Sequence, residues 1–160
     1  MRKPRPVRTP EIGEGKRGEE GYLGYLLRQA SGMHRLRMER ALAVLDTTPP
    51  QFLVMTMIAA YPGLSNADIA RLTLLTPQTV SVIVGNLKRG GAVTRKAHPV
   101  HGRIQELALS PAGEALLARC RSHVRGQEER LLQGLSAADE QVVRRWLVAV
   151  AVEPKAEAGS

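Results

Sequence analysis

Cysteine occurs once in these 160 residues, at Cys120. A single thiol has no partner for an internal disulfide and fits a reducing compartment, so the expected location is cytoplasmic. Aromatic residues make up only 3% of the chain, too few to stack on unpaired bases as single-strand and RNA-binding modules do. Long apolar runs are missing as well. Phe52 to Ala60, broken by Thr56, and Trp146 to Val152 fall far short of the roughly 20 residues that a spanning helix needs. No apolar segment follows the basic start MRKPRPVRTP, so no secretory signal is expected. Acidic residues are outnumbered 15 to 23 by lysine and arginine, for a net charge of +8. They are absent altogether between Ile69 and Gln105, where Arg71, Lys88, Arg89, Arg95, Lys96 and Arg103 fall. Such a stretch suits a surface facing a phosphate backbone, and with so few aromatics the expected partner is duplex DNA.

What is present is enough for one folding unit. The 43% hydrophobic content can supply a core without metal or disulfide. Residues 1–19 mix Pro, Gly and both charges with few apolar groups, and such a segment cannot offset its ordering entropy, so a disordered arm is expected. From Glu20 to about Leu45, Leu23, Leu26, Leu27, Ala30, Met33, Ala41 and Leu45 recur mostly three and four apart, which predicts a long amphipathic helix. A stripe that long near a chain end calls for a partner, and that points to a homodimer. Thr48-Pro49-Pro50 starts a second helix that ends at Tyr61-Pro62-Gly63.

Ser65 with Asp68 resembles a capping box opening a short helix through Leu72; Thr76-Pro77 opens the next, through Lys88. This pair reads as a helix-turn-helix. In its second helix Val80, Ile83, Val84 and Leu87 form the inward stripe, which leaves Gln78, Thr79, Ser81, Val82, Gly85 and Asn86 outward or partly so. Uncharged hydrogen-bonding groups near a helix start suit base edges. Gly90-Gly91 ends the helix. Ala92–Lys96 then reads as a strand, Ala97–Gly102 as a turn and Arg103–Leu109 as the return strand, a basic hairpin that forms a wing. Ser110-Pro111 repeats the capping pattern before a stripe of Leu116, Leu117, Cys120 and Val124 that runs toward Leu131 and Leu132. Ser136 with Asp139 opens a last helix carrying Val142, Val143, Trp146, Leu147 and Val150.

With these elements in order, the sequence from Tyr22 to Val150 resembles the MarR family of transcriptional regulators. The likeness rests on GYLLRQAS in the first helix, TPPQFLVM at 48–55, the pair LSNADIARLT and TPQTVS, LKRGGAVTR before the wing, and LALSPAGEALL after it. It implies a mainly α protein, an α+β winged helix-turn-helix of six helices with a two- to three-stranded wing. Residues 20–152 would make one such unit, in which 20–47 and 111–152 are dimerisation helices and 48–110 is the winged helix-turn-helix, with a polar tail at 153–160. It further implies a homodimer on a pseudo-palindromic double-stranded operator, and a repressor that a small aromatic or anionic effector releases.

The DNA-contact set expected from pattern and resemblance together is Ser65, Asn66, Thr76, Gln78, Thr79, Ser81, Val82, Asn86, Lys88, Arg89, Arg95, Lys96, His98, His101 and Arg103. By likeness, Arg103 is the wing arginine that probes the minor groove. The Asp of the family's Asp-x-Arg wing motif is absent, and His98 and His101 stand where the family has wing-tip aspartates. Effector-lining candidates are Met33, His34, Arg37, Met55 and Met57, because thioethers adapt to apolar shapes and a cation can hold a carboxylate. Met55 and Met57, two apart, should face different sides of their helix. No catalytic residue is expected, since the carboxylates stand singly with no nucleophile–base pair. No cofactor and no metal site are expected either. The alternatives left open are an effector-independent or architectural DNA-binding protein, a redox-responsive regulator using Cys120, and a metal-responsive one using His98 and His101.

Overall fold

Five of the helix starts rest on the hydroxyl caps that the sequence announces, Ser110 among them, whose oxygen accepts the Gly113 amide at 3.0 Å. The structure, a computed structural model, describes residues 8–97 and 105–152. Its elements in chain order are α1 (Leu23–Ala43), α2 (Pro49–Ala60), α3 (Asn66–Thr73), α4 (Pro77–Arg89), β1 (Val93–Ala97), β2 (Gln105–Leu109), α5 (Pro111–Leu132) and α6 (Ala137–Ala151), with a 3-10 turn at Gly15–Arg17 before them. Thr48, Ser65 and Ser136 make full capping boxes with Gln51, Asp68 and Asp139, and Thr76 accepts from the Thr79 amide. Each such cap satisfies amides that the first turn leaves unpaired, for about 1 kcal/mol. Of the arm expected to lack structure, residues 1–7 lie outside the described set, whereas 8–19 holds the 3-10 turn, braced by Arg17 donating to the Pro10 carbonyl at 2.7 Å.

The described chain divides into two units, one through Val124 and one from Arg125 onward. The first contains the whole buried core. Leu42 of α1, Val54, Met55 and Ile58 of α2, Ile69 and Ala70 of α3, and Val80, Ile83, Val84 and Leu87 of α4 close on one another. Val93 and Leu109 of the strands and Leu117, Cys120 and Val124 of α5 join them. Full burial of an aliphatic side chain contributes about 1.5–3 kcal/mol, so this cluster is what holds α2, α3 and α4 in place. In α1 the one buried residue is Leu42, with Ala41 and Leu45 of the expected stripe packed against the core, while Leu23 and Met33 are exposed. The chain turns back just after Leu42, with the Thr47 amide donating to its carbonyl, so only the end of α1 meets the core. In the second unit α6 buries no residue.

The wing grows out of the end of α4. Gly91 takes a positive φ of 76°; the Gly91 amide donates to Lys88 O at 3.0 Å and the Ala92 amide to Leu87 O at 2.9 Å. That pair of bonds is a Schellman ending, and it turns the chain directly into β1. β1 and β2 pair antiparallel in a two-stranded sheet, with Val93 opposite Leu109, Arg95 opposite Leu107 and Lys96 opposite Glu106. Gly113 locks the other end of the hairpin. A Cβ there would sit 1.9 Å from the Ala92 carbonyl oxygen, and that carbonyl also accepts the Ser110 amide at 3.0 Å. Only glycine permits so close a crossing of α5 and the first strand.

Candidate nucleic-acid interface

The inward residues of α4 are those the periodicity selects: Val80, Ile83, Val84 and Leu87 are all buried. Their burial fixes the rotation of the helix, so Gln78, Thr79, Ser81, Val82 and Asn86 stand exposed on the opposite side, with Gly85 partly covered among them. Several of these side chains are held before any ligand arrives. The Thr76 and Thr79 hydroxyls are 2.8 Å apart, and the Thr76 oxygen accepts the Thr79 amide at 3.1 Å. Asn66 at the start of α3 donates to the Ser81 hydroxyl at 3.3 Å, tying the two helices together at the surface. Farther along, Arg89 donates to the Asn86 side-chain Oδ1. Polar groups already locked in one rotamer lose less entropy on binding than free ones.

Charge frames this face on one side only. The first turn of α4 carries no acid and its last turn carries Lys88 and Arg89, both exposed. Arg95 and Lys96 are exposed on β1. The nearest carboxylate before the helix is Asp68, and it is fully engaged. Its Oδ2 accepts the Ser65 hydroxyl at 2.6 Å and the Ser65 amide at 3.0 Å, and Oδ1 accepts Arg71. Those bonds, the Ser65 hydroxyl foremost, hold the Asp68 carboxyl down to about 2. Ser65 thereby serves as the cap of α3, with its hydroxyl spent on Asp68. His98, His101 and Arg103 lie outside the described residues.

The residues named for an effector are scattered. Met55 is completely buried in the core, while Met57, His34 and Arg37 are half-buried and Met33 is exposed. Met55 and Met57 do differ in exposure, as their spacing requires. Met33 borders a groove of about 290 Å³ along α1, lined by Arg28, Gln29, Gly32, Met33, Arg35 and Leu36. Larger hollows lie elsewhere. One of about 320 Å³ runs between the end of α2 and the wing, lined by Pro62, Lys96, Glu106 and Leu107 among others. Another of about 430 Å³ lies at the α1–α2 turn beside Glu39 and Asp46. Cys120 is fully buried, and burial pushes its thiol pKa up against the opposing effect of Thr47, which disfavours the reactive thiolate.

Two features were not readable from the residues. Leu74, in the turn between α3 and α4, adopts the left-handed region at φ 54° and is 92% exposed. The clasp between Asn66 and Ser81 joins residues 15 apart, and helical periodicity carries no signal for such a pair.

Two adjoining helices, an exposed uncharged face on the second and a basic hairpin immediately after it define the winged helix-turn-helix class. Residues 45–104 match the sequence model of the MarR family. The HTH-type transcriptional repressor Rv2887 of Mycobacterium tuberculosis is 34% identical over 129 residues, which cover 81% of this chain and 93% of that protein. The chain belongs to the MarR family of transcriptional regulators. Solved structures agree. Rv2887 in complex with p-aminosalicylic acid superposes with a TM-score of 0.66 at 32% identity, covering 82% of this chain and 99% of the other. Rv2887 in complex with DNA gives 0.64 at 31%, covering 82% and 98%. The transcriptional repressor CouR, bound to a 23-mer DNA duplex, gives 0.73 at 25%, covering 91% and 100%. Among the described residues no helix is long and apolar enough to cross a membrane.

Proposed function

We propose that this chain is a cytoplasmic homodimeric repressor that binds a pseudo-palindromic duplex operator through α4 and the wing and leaves it when a small aromatic acid binds. The observation that carries the reading is the outward face of α4. It offers amide and hydroxyl groups without a single carboxylate, and lysine and arginine follow it from Lys88 to Lys96. Base edges in the major groove are read by such amides and hydroxyls, and phosphates by such cations. Asn66, Thr76 and Thr79 lie at the starts of α3 and α4, where amide-rich helix ends favour phosphate oxygens, whereas Ser65 has its hydroxyl and amide committed to Asp68. His98, His101 and Arg103 belong to the wing's share of the contact.

Dimerisation falls to residues 20–47 and 111–152, and DNA reading to 48–110. At the start of α1 Leu23 and Tyr25 are exposed, as is Tyr22 just before it, and along α6 so are Val142, Val143, Trp146, Leu147 and Val150. A second copy would cover these stripes. The effector reading is supported by the salicylate-type ligand of the Rv2887 structure and by the α1 groove, where Arg28 and Arg35 stand beside Met33 and Leu36. Guanidinium next to thioether and aliphatic surface matches an aromatic carboxylate.

Selecting bound duplexes from genomic DNA and then titrating the best one against salt tests this reading. One preferred palindrome should emerge, and the logarithm of affinity should fall linearly with the logarithm of salt, by about 0.9 per neutralised phosphate. Adding salicylate or p-aminosalicylate should then release the protein. Absence of any preferred sequence would reject the regulator reading; a preferred operator that neither acid releases would leave a DNA-binding protein indifferent to this class of effector.

A further inference from the structure

Resting on the reading of α4 as the recognition helix, we propose that Val82 and Gly85 form an apolar contact site for the 5-methyl group of a thymine in each operator half-site. At 100° per residue, Gln78, Val82, Gly85 and Arg89 fall on one line along α4, diametrically opposite the buried Val80, Ile83, Val84 and Leu87. That line is the crest of the exposed face. The uncharged polar residues at its edges are already bonded, Ser81 to Asn66, Thr79 to Thr76 and Asn86 to Arg89.

The middle of the crest is different. Val82 is 62% exposed, and a β-branched apolar side chain there gains nothing from the protein's own core. Among the described residues Gly85 has no packing reason to lack a side chain, because a Cβ built on it would meet only the Arg89 Nη1 atom, at 3.8 Å. Its backbone is not in the left-handed region either. A glycine inside a helix is unfavourable relative to alanine, and neither close packing among the described residues nor backbone conformation accounts for it.

Together the two residues make a valine knob beside a bare stretch of backbone, in the centre of a face otherwise rich in donors and acceptors. In the major groove the one apolar group that a base pair presents is the thymine methyl, and small apolar side chains are what contact it. Gly85 lets the helix approach closely enough for Val82 to reach that methyl, while Gln78, one turn nearer the helix start, remains available for the neighbouring base edge. The shared crest thus assigns Val82 to a T·A pair and Gln78 to the adjacent step.

The test replaces thymines of the selected operator one at a time by deoxyuridine, which removes only the methyl, and measures Kd by fluorescence anisotropy for the wild-type protein and for Val82→Ala. Wild type should lose about fourfold per methyl at one position in each half-site, the equivalent of one buried methyl-sized group. 5-Bromodeoxyuridine at that position, whose bromine fills the methyl's volume, should restore the affinity. Val82→Ala should bind the thymine and deoxyuridine operators alike while keeping its salt dependence. Wild-type indifference to deoxyuridine at every position, or an undiminished thymine preference in Val82→Ala, would overturn the proposal. Failure of the wild-type protein to prefer any duplex would instead overturn the DNA-binding reading, and this proposal with it.

Discussion

Helices α4 and α6 are written in the same way and end differently. Each starts at a hydroxyl cap and carries an aliphatic stripe at helical spacing. In α4 the stripe disappears into the core, with Val80, Ile83, Val84 and Leu87 no more than 8% exposed; in α6 Val142, Val143, Trp146, Leu147 and Val150 are all exposed. Periodicity says that a face needs covering, but not what covers it. For α4 the cover is α2, α3 and the strands of the same chain. In α6 none of the described residues is buried, and an apolar surface of that extent is characteristic of an interface between subunits.

The difference can be broken by making equivalent changes in the two helices. Trp146→Glu with Leu147→Glu should leave the thermal stability of the winged unit nearly unchanged yet convert dimer to monomer. Operator affinity should then drop by about 100-fold or more, because each recognition helix must bind without its linked partner. Sedimentation velocity and anisotropy titration would read both effects. Ile83→Ala in α4 should instead lower the stability of the fold itself, by about 2–5 kcal/mol in urea denaturation, as large-to-small changes in a packed core do. If the two variants gave the same phenotype, the contrast between the helices would not hold.

Gly113→Ala should sharpen the picture of how the wing is anchored. Its Cβ would run into the Ala92 carbonyl, which is backbone and cannot swing away, so a loss of about 1–3 kcal/mol is expected. Gly85→Ala should do the opposite. With no obstacle among the described residues, it should raise stability by about 1 kcal/mol through helix propensity while weakening operator binding. A variant that is both more stable and equally tight on DNA would remove the functional reason for that glycine.

The smallest expected effect concerns acid. Asp68 is held down to about 2 by Ser65 and Arg71, against about 3.9 for an unperturbed aspartate. A depressed folded-state pKa gives stability that is present above the unfolded value and is lost as pH falls through the folded one. The start of α3 should therefore loosen between about pH 4 and about pH 2. Asp68→Asn should remove that portion of the acid dependence, as followed by thermal melts across the range.

Much of this was legible in the residues, for a physical reason. Caps, proline at helix starts and Gly90-Gly91 are local signals, and the caps at Thr48, Ser65, Thr76 and Ser136 and the turn into the wing stand where they indicate. The inward stripe of α4 was legible because polar residues separate its members. α2 was harder, being apolar nearly all round, so its sequence could not tell that Met55 would be sealed in the core and Met57 only half-buried. The hydrophobic pattern also missed Leu42, the single buried residue of α1, since its burial depends on the return of the chain after it. Contacts between residues distant in sequence, such as Asn66 with Ser81 or Gly113 against Ala92, leave no periodic trace. Leu74 in the left-handed region runs against residue preference, where glycine or asparagine would have announced the turn.

The central claim is that two copies of this chain read DNA together, one α4 in each of two successive major grooves. Its most direct measurement is the mass of the complex on the selected operator by sedimentation, combined with a 5-base-pair insertion between the half-sites that rotates one by about half a helical turn. The account predicts two chains per duplex, on half-sites about 10 base pairs apart, and loss of tight binding after the insertion. A single chain bound at full affinity, unaffected by the insertion, would contradict it.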